Sequence, residues 1–167
     1  QQLESLAITD ALTGLLNRRG FVRELQAAIA RSERAEQLTA VLYLDLDGFK
    51  QINDSLGHET GDQLLRWVSD QLRAILRPYD CLARIGGDEF TGILDSLNSP
   101  DDAGCVAEKL IEQLSRQYDL EGEVFHLGAS IGIACLPQCG GTVEDVLRAA
   151  DAAMYAAKRS GRRQFRF

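Results

Sequence analysis

The stretch TAVLYLDL, residues 39–46, decides how the chain must fold. Through Leu44 it is apolar on both faces, and acids appear only at its end, at Asp45 and Asp47. A strand with one wet face alternates apolar and polar residues; an unbroken apolar run fits a central strand covered on both sides. The flanking sequence supplies the covers. Upstream, residues 18–35 place Phe21, Val22, Leu25, Ala28 and Ile29 at the spacing of an amphipathic helix. Downstream, residues 61–76 put Leu64, Leu65, Val68, Leu72 and Ile75 on one helical stripe, which Pro78 ends. Residues 81–85 and 89–94 read as short strands around the turn signal Gly86-Gly87-Asp88. Residues 101–118 then predict a helix behind Pro100, 124–134 a β-rich run, 143–160 a last helix closed by Gly161, and 164–167 an edge strand. Helices alternating with strands, with one hairpin in the middle, predict an α/β sandwich: a central mixed β-sheet flanked by helices.

The totals narrow the function. The chain has 167 residues, enough for one ordinary domain, with 45% hydrophobic and 26% charged residues, the globular range. Its net charge is −7, which repels a phosphate backbone and argues against a nucleic-acid partner. A nucleotide remains compatible, because a metal ion bridges carboxylates to phosphates. Cys81, Cys105, Cys135 and Cys139 form no CxxC pair, and the histidines are His58 and His126, so a zinc site is not expected. The thiols read as reduced, with Cys135 and Cys139 near enough in sequence to oxidise. No apolar run has the length of a membrane span, which predicts no direct membrane contact and a cytoplasmic location. Residues 1–8 read as the end of an incoming helix and 9–167 as a domain of a longer protein.

If the hairpin pairs beside the central strand, Asp45 and Asp88 converge, and Glu89 follows. Two close carboxylates repel unless a cation sits between them, and few hard oxygen ligands suit magnesium. Gly86 and Gly87 leave room for a ligand at the backbone. The same residues also make an ordinary hairpin turn and an ordinary strand end, and both readings stand on the residues alone. Asn53 and Asp62 flank a Gly57-His58 turn. Their side chains suit a guanine edge, though Asn53 also suits a turn. Lys158 and Arg162 lie one turn apart at the end of the last helix, where they serve a triphosphate or the helix dipole. No Ser-His-Asp or Cys-His arrangement points to a covalent intermediate.

Several strings now resemble one family in register. Gly86-Gly87-Asp88-Glu89-Phe90, with Arg84 before it, resembles the signature of the GGDEF family. Residues 10–19 (DALTGLLNRR), 45–54 (DLDGFKQIND), 57–62 (GHETGD), 129–134 (ASIGIA) and 154–162 (MYAAKRSGR) resemble its other motifs. Arg163 departs from the asparagine often found there. The resemblance implies a nucleotidyl-cyclase-like, palm-like fold and a diguanylate cyclase that condenses two GTP into cyclic di-GMP and pyrophosphate with magnesium or manganese. It implies that Asp45, Asp88, Glu89 and the Leu46 carbonyl serve the metal, with Gly86 and Gly87 shaping the catalytic turn. It assigns Asn53, Asp62 and His58 to the guanine end of GTP, Phe49 and Lys50 to its phosphates, and Lys158 and Arg162 to the far end of the triphosphate. Asp62 disfavours an adenine product.

The family's R-x-x-D product-inhibition site is matched by Arg77-Pro78-Tyr79-Asp80, which implies feedback through Arg77 and Asp80. One chain with one GTP site implies a homodimer around the product. The family also implies an upstream sensor domain and, in some members, a downstream EAL domain. Two other readings stay open: a catalytically silent GTP-binding regulatory domain, and a cyclic di-GMP receptor module.

Overall fold

In a computed structural model, the described residues are 7–167 except 36, 117, 121, 139 and 140. The incoming helix expected at 3–7 and Cys139 fall largely or wholly outside them. Ala7 and Ile8 are not helical.

The apolar run becomes β1 (Leu38–Asp47), and it lies at the centre of the sheet. Among the described residues the main sheet has five strands. On one side of β1 are β3 (Glu89–Leu97) and then β2 (Cys81–Arg84); on the other are β6 (Gly128–Leu136) and then β7 (Phe165–Arg166). All neighbours are antiparallel except β6 and β7, so the sheet is mixed as expected.

Alternation along β1 divides the core. Ala40, Leu42, Leu44 and Leu46 pack with Leu64, Leu65, Val68 and Leu72 of α3 (His58–Ile75) and with Ala103, Ala107, Leu110 and Leu114 of α4 (Pro100–Leu114). Val41 and Tyr43 face the other way, onto Phe21, Leu25, Ala28 and Ile29 of α1 (Arg18–Ala35) and Val146, Ala150 and Met154 of α5 (Val143–Arg159). Burial of these two apolar faces is the main favourable term in folding. Gly132 of β6 permits the close seat of α5: a Cβ there would stand 2.0 Å from the Ala150 carbonyl oxygen and 2.3 Å from the Met154 nitrogen. Through that seat the end of α5 reaches the acidic end of β1.

Several elements differ from the sequence expectation. A short helix, α2 (Phe49–Leu56), follows β1; Phe49, Ile52 and Leu56 stand at helical spacing along it, but the sequence expectation has no helix over these eight residues. Helix α3 starts at His58 rather than Gly61, because Gly57, at φ 93°, separates it from α2. Helix α4 stops at Leu114, its last core position, and Tyr118 instead opens β4 (Tyr118–Leu120). The β-rich run divides into β5 (Glu123–Phe125), which pairs with β4, and β6. The Tyr118 ring stacks on Trp67 with centroids 4.6 Å apart, which fastens this hairpin to α3.

Candidate active site

The site forms where β1 ends beside the β2–β3 turn. Asp45 pairs in register with Glu89 on one side and Ser130 on the other. The Leu46 amide donates to the Asp88 carbonyl oxygen at 3.2 Å, which holds the turn against the strand end. The Leu46 side chain is buried in the core. Arg84 braces the turn from behind. Its guanidinium donates to the Gly87 carbonyl oxygen at 3.0 and 3.1 Å and pairs with Asp10 at 3.1 Å. Asp10 also accepts the amide and hydroxyl of Thr13, at 2.9 and 2.7 Å. Burial raises its pKa, but these bonds and Arg84 outweigh burial and hold it below the usual carboxylate value.

Asp45 and Asp88 are brought together, as the sequence suggested. Burial is the largest influence on Asp45 and pushes its carboxyl up to about 6; Asp88 adds to the rise and Lys158 opposes it. The Lys158 ammonium stands 2.7 Å from Asp45 Oδ2. Asp45 Oδ1 is buried with no hydrogen-bond partner. An orphaned carboxylate oxygen beside a second carboxylate fits a small hard cation. Among the described residues no three His, Cys, Asp or Glu side chains converge. A metal here would therefore take two carboxylates and complete its shell with water, backbone and phosphate oxygens, as magnesium does.

Glu89 turns elsewhere. Its Oε2 accepts the Tyr43 hydroxyl at 2.6 Å, and a Cβ on Gly86 would lie 3.0 Å from its Oε1. Burial, then this bond to Glu89, raises the Tyr43 pKa far above that of a free phenol, so Tyr43 stays a donor. Tyr43 did not emerge from the sequence, although its place two residues before Asp45 puts both on one face of β1.

A cavity of about 720 Å³ opens in front of this pair, lined by Asp88, Lys158, Arg162, Leu46 and residues 47–51 and 54. It thus contains Lys50 and the first turn of α2, whose amides point outward from a helix start as at many anion sites. Phe49 lines it from within the core, and its ring is buried. Asn53, His58 and Asp62 lie beyond the cavity wall at the α2–α3 corner, where Asn53 Nδ2 and His58 Nδ1 are 3.1 Å apart. Arg77 and Asp80 line a separate cavity of about 540 Å³ with Arg73, Tyr79 and Gly14. There Arg77 Nε and Nη2 donate to Asp80 at 3.2 and 3.3 Å, Nη2 also donates to the Asp95 carbonyl oxygen at 2.7 Å, and the guanidinium lies 4.6 Å over the Tyr79 ring. Cys81, Cys105 and Cys135 are free thiols. No helix among the described residues is long and apolar enough to cross a membrane.

The α/β sandwich thus carries an acidic pair at the end of its central strand, with a cavity before it lined by Lys50, Lys158 and Arg162 as well as Asp47, Asp54 and Asp88. The chain belongs to the GGDEF family: the profile described as "Diguanylate cyclase, GGDEF domain" matches residues 7–164. It is 42% identical over 167 residues to the bifunctional diguanylate cyclase/cyclic di-GMP phosphodiesterase MucR of Pseudomonas aeruginosa, covering all of this chain and 24% of that protein. It thus spans about a quarter of the length of that relative. The solved GGDEF domain of TpbB from Pseudomonas aeruginosa superposes with TM-score 0.91 at 39% identity, covering 95% of this chain and 92% of that one. The GGDEF domain of DgcB from Caulobacter crescentus, solved in complex with c-di-GMP, gives 0.88 at 34% identity, covering 96% and 95%.

Proposed function

We propose that this domain condenses two GTP molecules into cyclic di-GMP, releasing two pyrophosphates, as a two-fold dimer. The observation that carries the reading is the Asp45–Asp88 pair, with its orphaned Asp45 oxygen, at the mouth of a cavity lined by Lys50, Lys158 and Arg162.

In this reading Asp45, Asp88 and the Leu46 carbonyl hold magnesium or manganese, with Glu89 beside them. The ion, when bound, lowers the pKa of the attacking hydroxyl and offsets charge on the phosphoryl group. The chain's own groups do the positioning. The α2 start and Lys50 receive phosphates, and Arg162 and Lys158 take the charge of the pyrophosphate that leaves. Lys158 is paired with Asp45, and with a metal held at that carboxylate its ammonium would be free to take phosphate charge. Asn53, Asp62 and His58 take the guanine end. Each 3′-hydroxyl attacks the α-phosphorus of the facing nucleotide and pyrophosphate leaves; the hydroxyl proton passes to a nearby base, the role this reading gives to Glu89. Holding two nucleotides face to face supplies most of the acceleration. Arg77 and Asp80 take cyclic di-GMP as an inhibitor, the guanidinium on a guanine or phosphate and the carboxylate on a guanine edge. In the full-length protein a sensor domain upstream would set the dimer, and an EAL domain downstream, where one follows, would consume the product.

The test is incubation of the concentrated chain with GTP and magnesium, with products separated by chromatography, beside Asp88→Ala. Cyclic di-GMP from the intact chain and none from the variant supports the cyclase. GTP binding without pyrophosphate release, even when the chain is fused to a constitutive dimer, supports the silent regulatory domain. Binding of cyclic di-GMP with no magnesium-dependent GTP binding supports the receptor module.

A further inference from the structure

Arg162 reaches the phosphate cavity from an unusual piece of backbone. Helix α5 ends in a left-handed glycine: Gly161 has φ 115°, the Arg162 amide donates to the Ala157 carbonyl oxygen at 3.0 Å, and the Gly161 amide to that of Lys158 at 3.4 Å. This is the Schellman closure, and it needs only one left-handed residue. Yet Arg162 and Arg163 follow at φ 62° and 49°. Left-handed conformation is unfavourable for a residue with a Cβ and persists only where surroundings impose it.

Two side chains hold this segment: Gln164, whose Nε2 donates to the Ser160 and Arg162 carbonyl oxygens at 2.8 and 3.2 Å, and Asp47. Its Oδ2 accepts the Arg163 amide at 3.1 Å, and its Oδ1 accepts the hydroxyl of Ser130, a fully buried residue of β6, at 2.8 Å. Gly128 completes the seat, because a Cβ there would lie 2.7 Å from Arg163 Cγ and 2.9 Å from Asp47 Oδ2. The carboxylate is thus aimed by one strand at the backbone of the segment that follows α5. Asp47 lines the same cavity as Arg162. Both oxygens of Asp47 carry protein hydrogen bonds, whereas Asp45 keeps one without a partner.

We infer that Asp47 is a positioning residue: it holds the left-handed Arg162–Arg163 backbone and so places the Arg162 guanidinium for the terminal phosphates of the nucleotide. The inference rests on the proposed nucleotide site and adds a role to an acid that follows the metal-binding one by two residues. It also explains how this chain accommodates Arg163: the Asp47 carboxylate supplies a restraint that the backbone conformation demands.

The test uses 3′-deoxy-GTP, which lacks the attacking hydroxyl and so binds without turnover, followed by calorimetry with magnesium, together with amide hydrogen exchange over residues 160–166. Asp47→Ala should weaken binding about tenfold, which corresponds to about 1.4 kcal/mol, the scale of one left-handed residue. Arg162→Ala should weaken it at least as much, and the double variant no further, because Asp47 acts through Arg162. Asp47→Asn keeps an oxygen for the Arg163 amide and retains affinity. Arg163→Gly, which removes the conformational cost, restores binding in the Asp47→Ala background. Exchange at 162–165 should rise in Asp47→Ala and stay low in Asp47→Asn. Additive losses in the double variant, or an Asp47→Asn as weak as Asp47→Ala with exchange unchanged, would mean that Asp47 touches the nucleotide or the cation itself, and overturn the inference. Should the parent chain bind no 3′-deoxy-GTP, the proposed function fails and exchange alone decides: unchanged protection in Asp47→Ala then overturns the anchor as well. If Asp47→Ala does not fold, Ser130→Ala frees the carboxylate and must shift exchange in the same direction.

Discussion

Asp45 and Asp88 face one another because one backbone bond, from the Leu46 amide to the Asp88 carbonyl oxygen, ties turn to strand. The bond survives removal of either side chain. Asp88→Ala should therefore fold as the parent does, with an unfolding midpoint in urea no lower, since it relieves the repulsion that helps raise Asp45. Cyclic di-GMP formation should fall by roughly two orders of magnitude or more, the usual scale for loss of a charge-stabilising group. Tyr43→Phe tests the neighbouring contact. It leaves Glu89 Oε2 without its donor while keeping the ring in the core. Turnover should drop about tenfold at saturating GTP with little change in KM, on the scale of one hydrogen bond to a charged group. Asp10 gives a pH signature away from the chemistry. Its folded pKa lies below the unfolded one, so its contribution is present above the unfolded value, near pH 4, and is lost as pH falls through the lower folded value. Asp10→Asn should flatten stability against pH in that acid window and leave the slope near neutrality alone, as urea titrations at stepped pH will show.

At the scale of elements, legibility followed the range of the interaction. The β1 run, the Gly86-Gly87 hairpin and the stripes of α1 and α3 stood out because each is announced by residues close in sequence. Helix α2 did not, although Phe49, Ile52 and Leu56 stand at helical spacing, because eight residues are short for a helix and begin at the turn residue Gly48. The Asp45–Asp88 pair was legible once the hairpin was placed beside β1. The Lys158–Asp45 ion pair, the Tyr43–Glu89 bond and the reach of Asp47 to the Arg163 amide were not, because each joins distant positions through packing. Gly132 was read as part of a strand, and its purpose shows only against α5. Gly132→Ala would drive a methyl group into the Ala150 carbonyl, which is backbone and cannot rotate away. The variant should lose about 3 kcal/mol or more in urea unfolding, the upper range for overpacking a core. It should also lower GTP affinity, because α5 moves off β6 and carries Lys158 and Arg162 with it.

For the whole molecule, the proposed reaction joins two nucleotides while the described residues of one chain offer one proposed set of phosphate ligands, so the rate should depend on association. Below the dimer dissociation constant, doubling the chain concentration should raise the initial rate about fourfold, as for any reaction that is second order in protein. The Arg77–Asp80 cavity shares no lining residue with the phosphate cavity, and its ligands sit between α3 and β2. In the proposed reading, inhibition there works through how two chains meet or how they move, not through competition for the GTP phosphates. Two side chains and one backbone carbonyl make the contrast sharp: Arg77 is held by Asp80, by the Tyr79 ring and by the Asp95 carbonyl. Replacing it with alanine removes the guanidinium without opening the core, since Arg77 is exposed. Arg77→Ala should keep the parent's GTP KM and its fourfold concentration response, while added cyclic di-GMP no longer slows pyrophosphate release. If the variant remains as sensitive to product as the parent, inhibition acts at the GTP cavity itself, and the fall in rate will then be relieved by raising GTP.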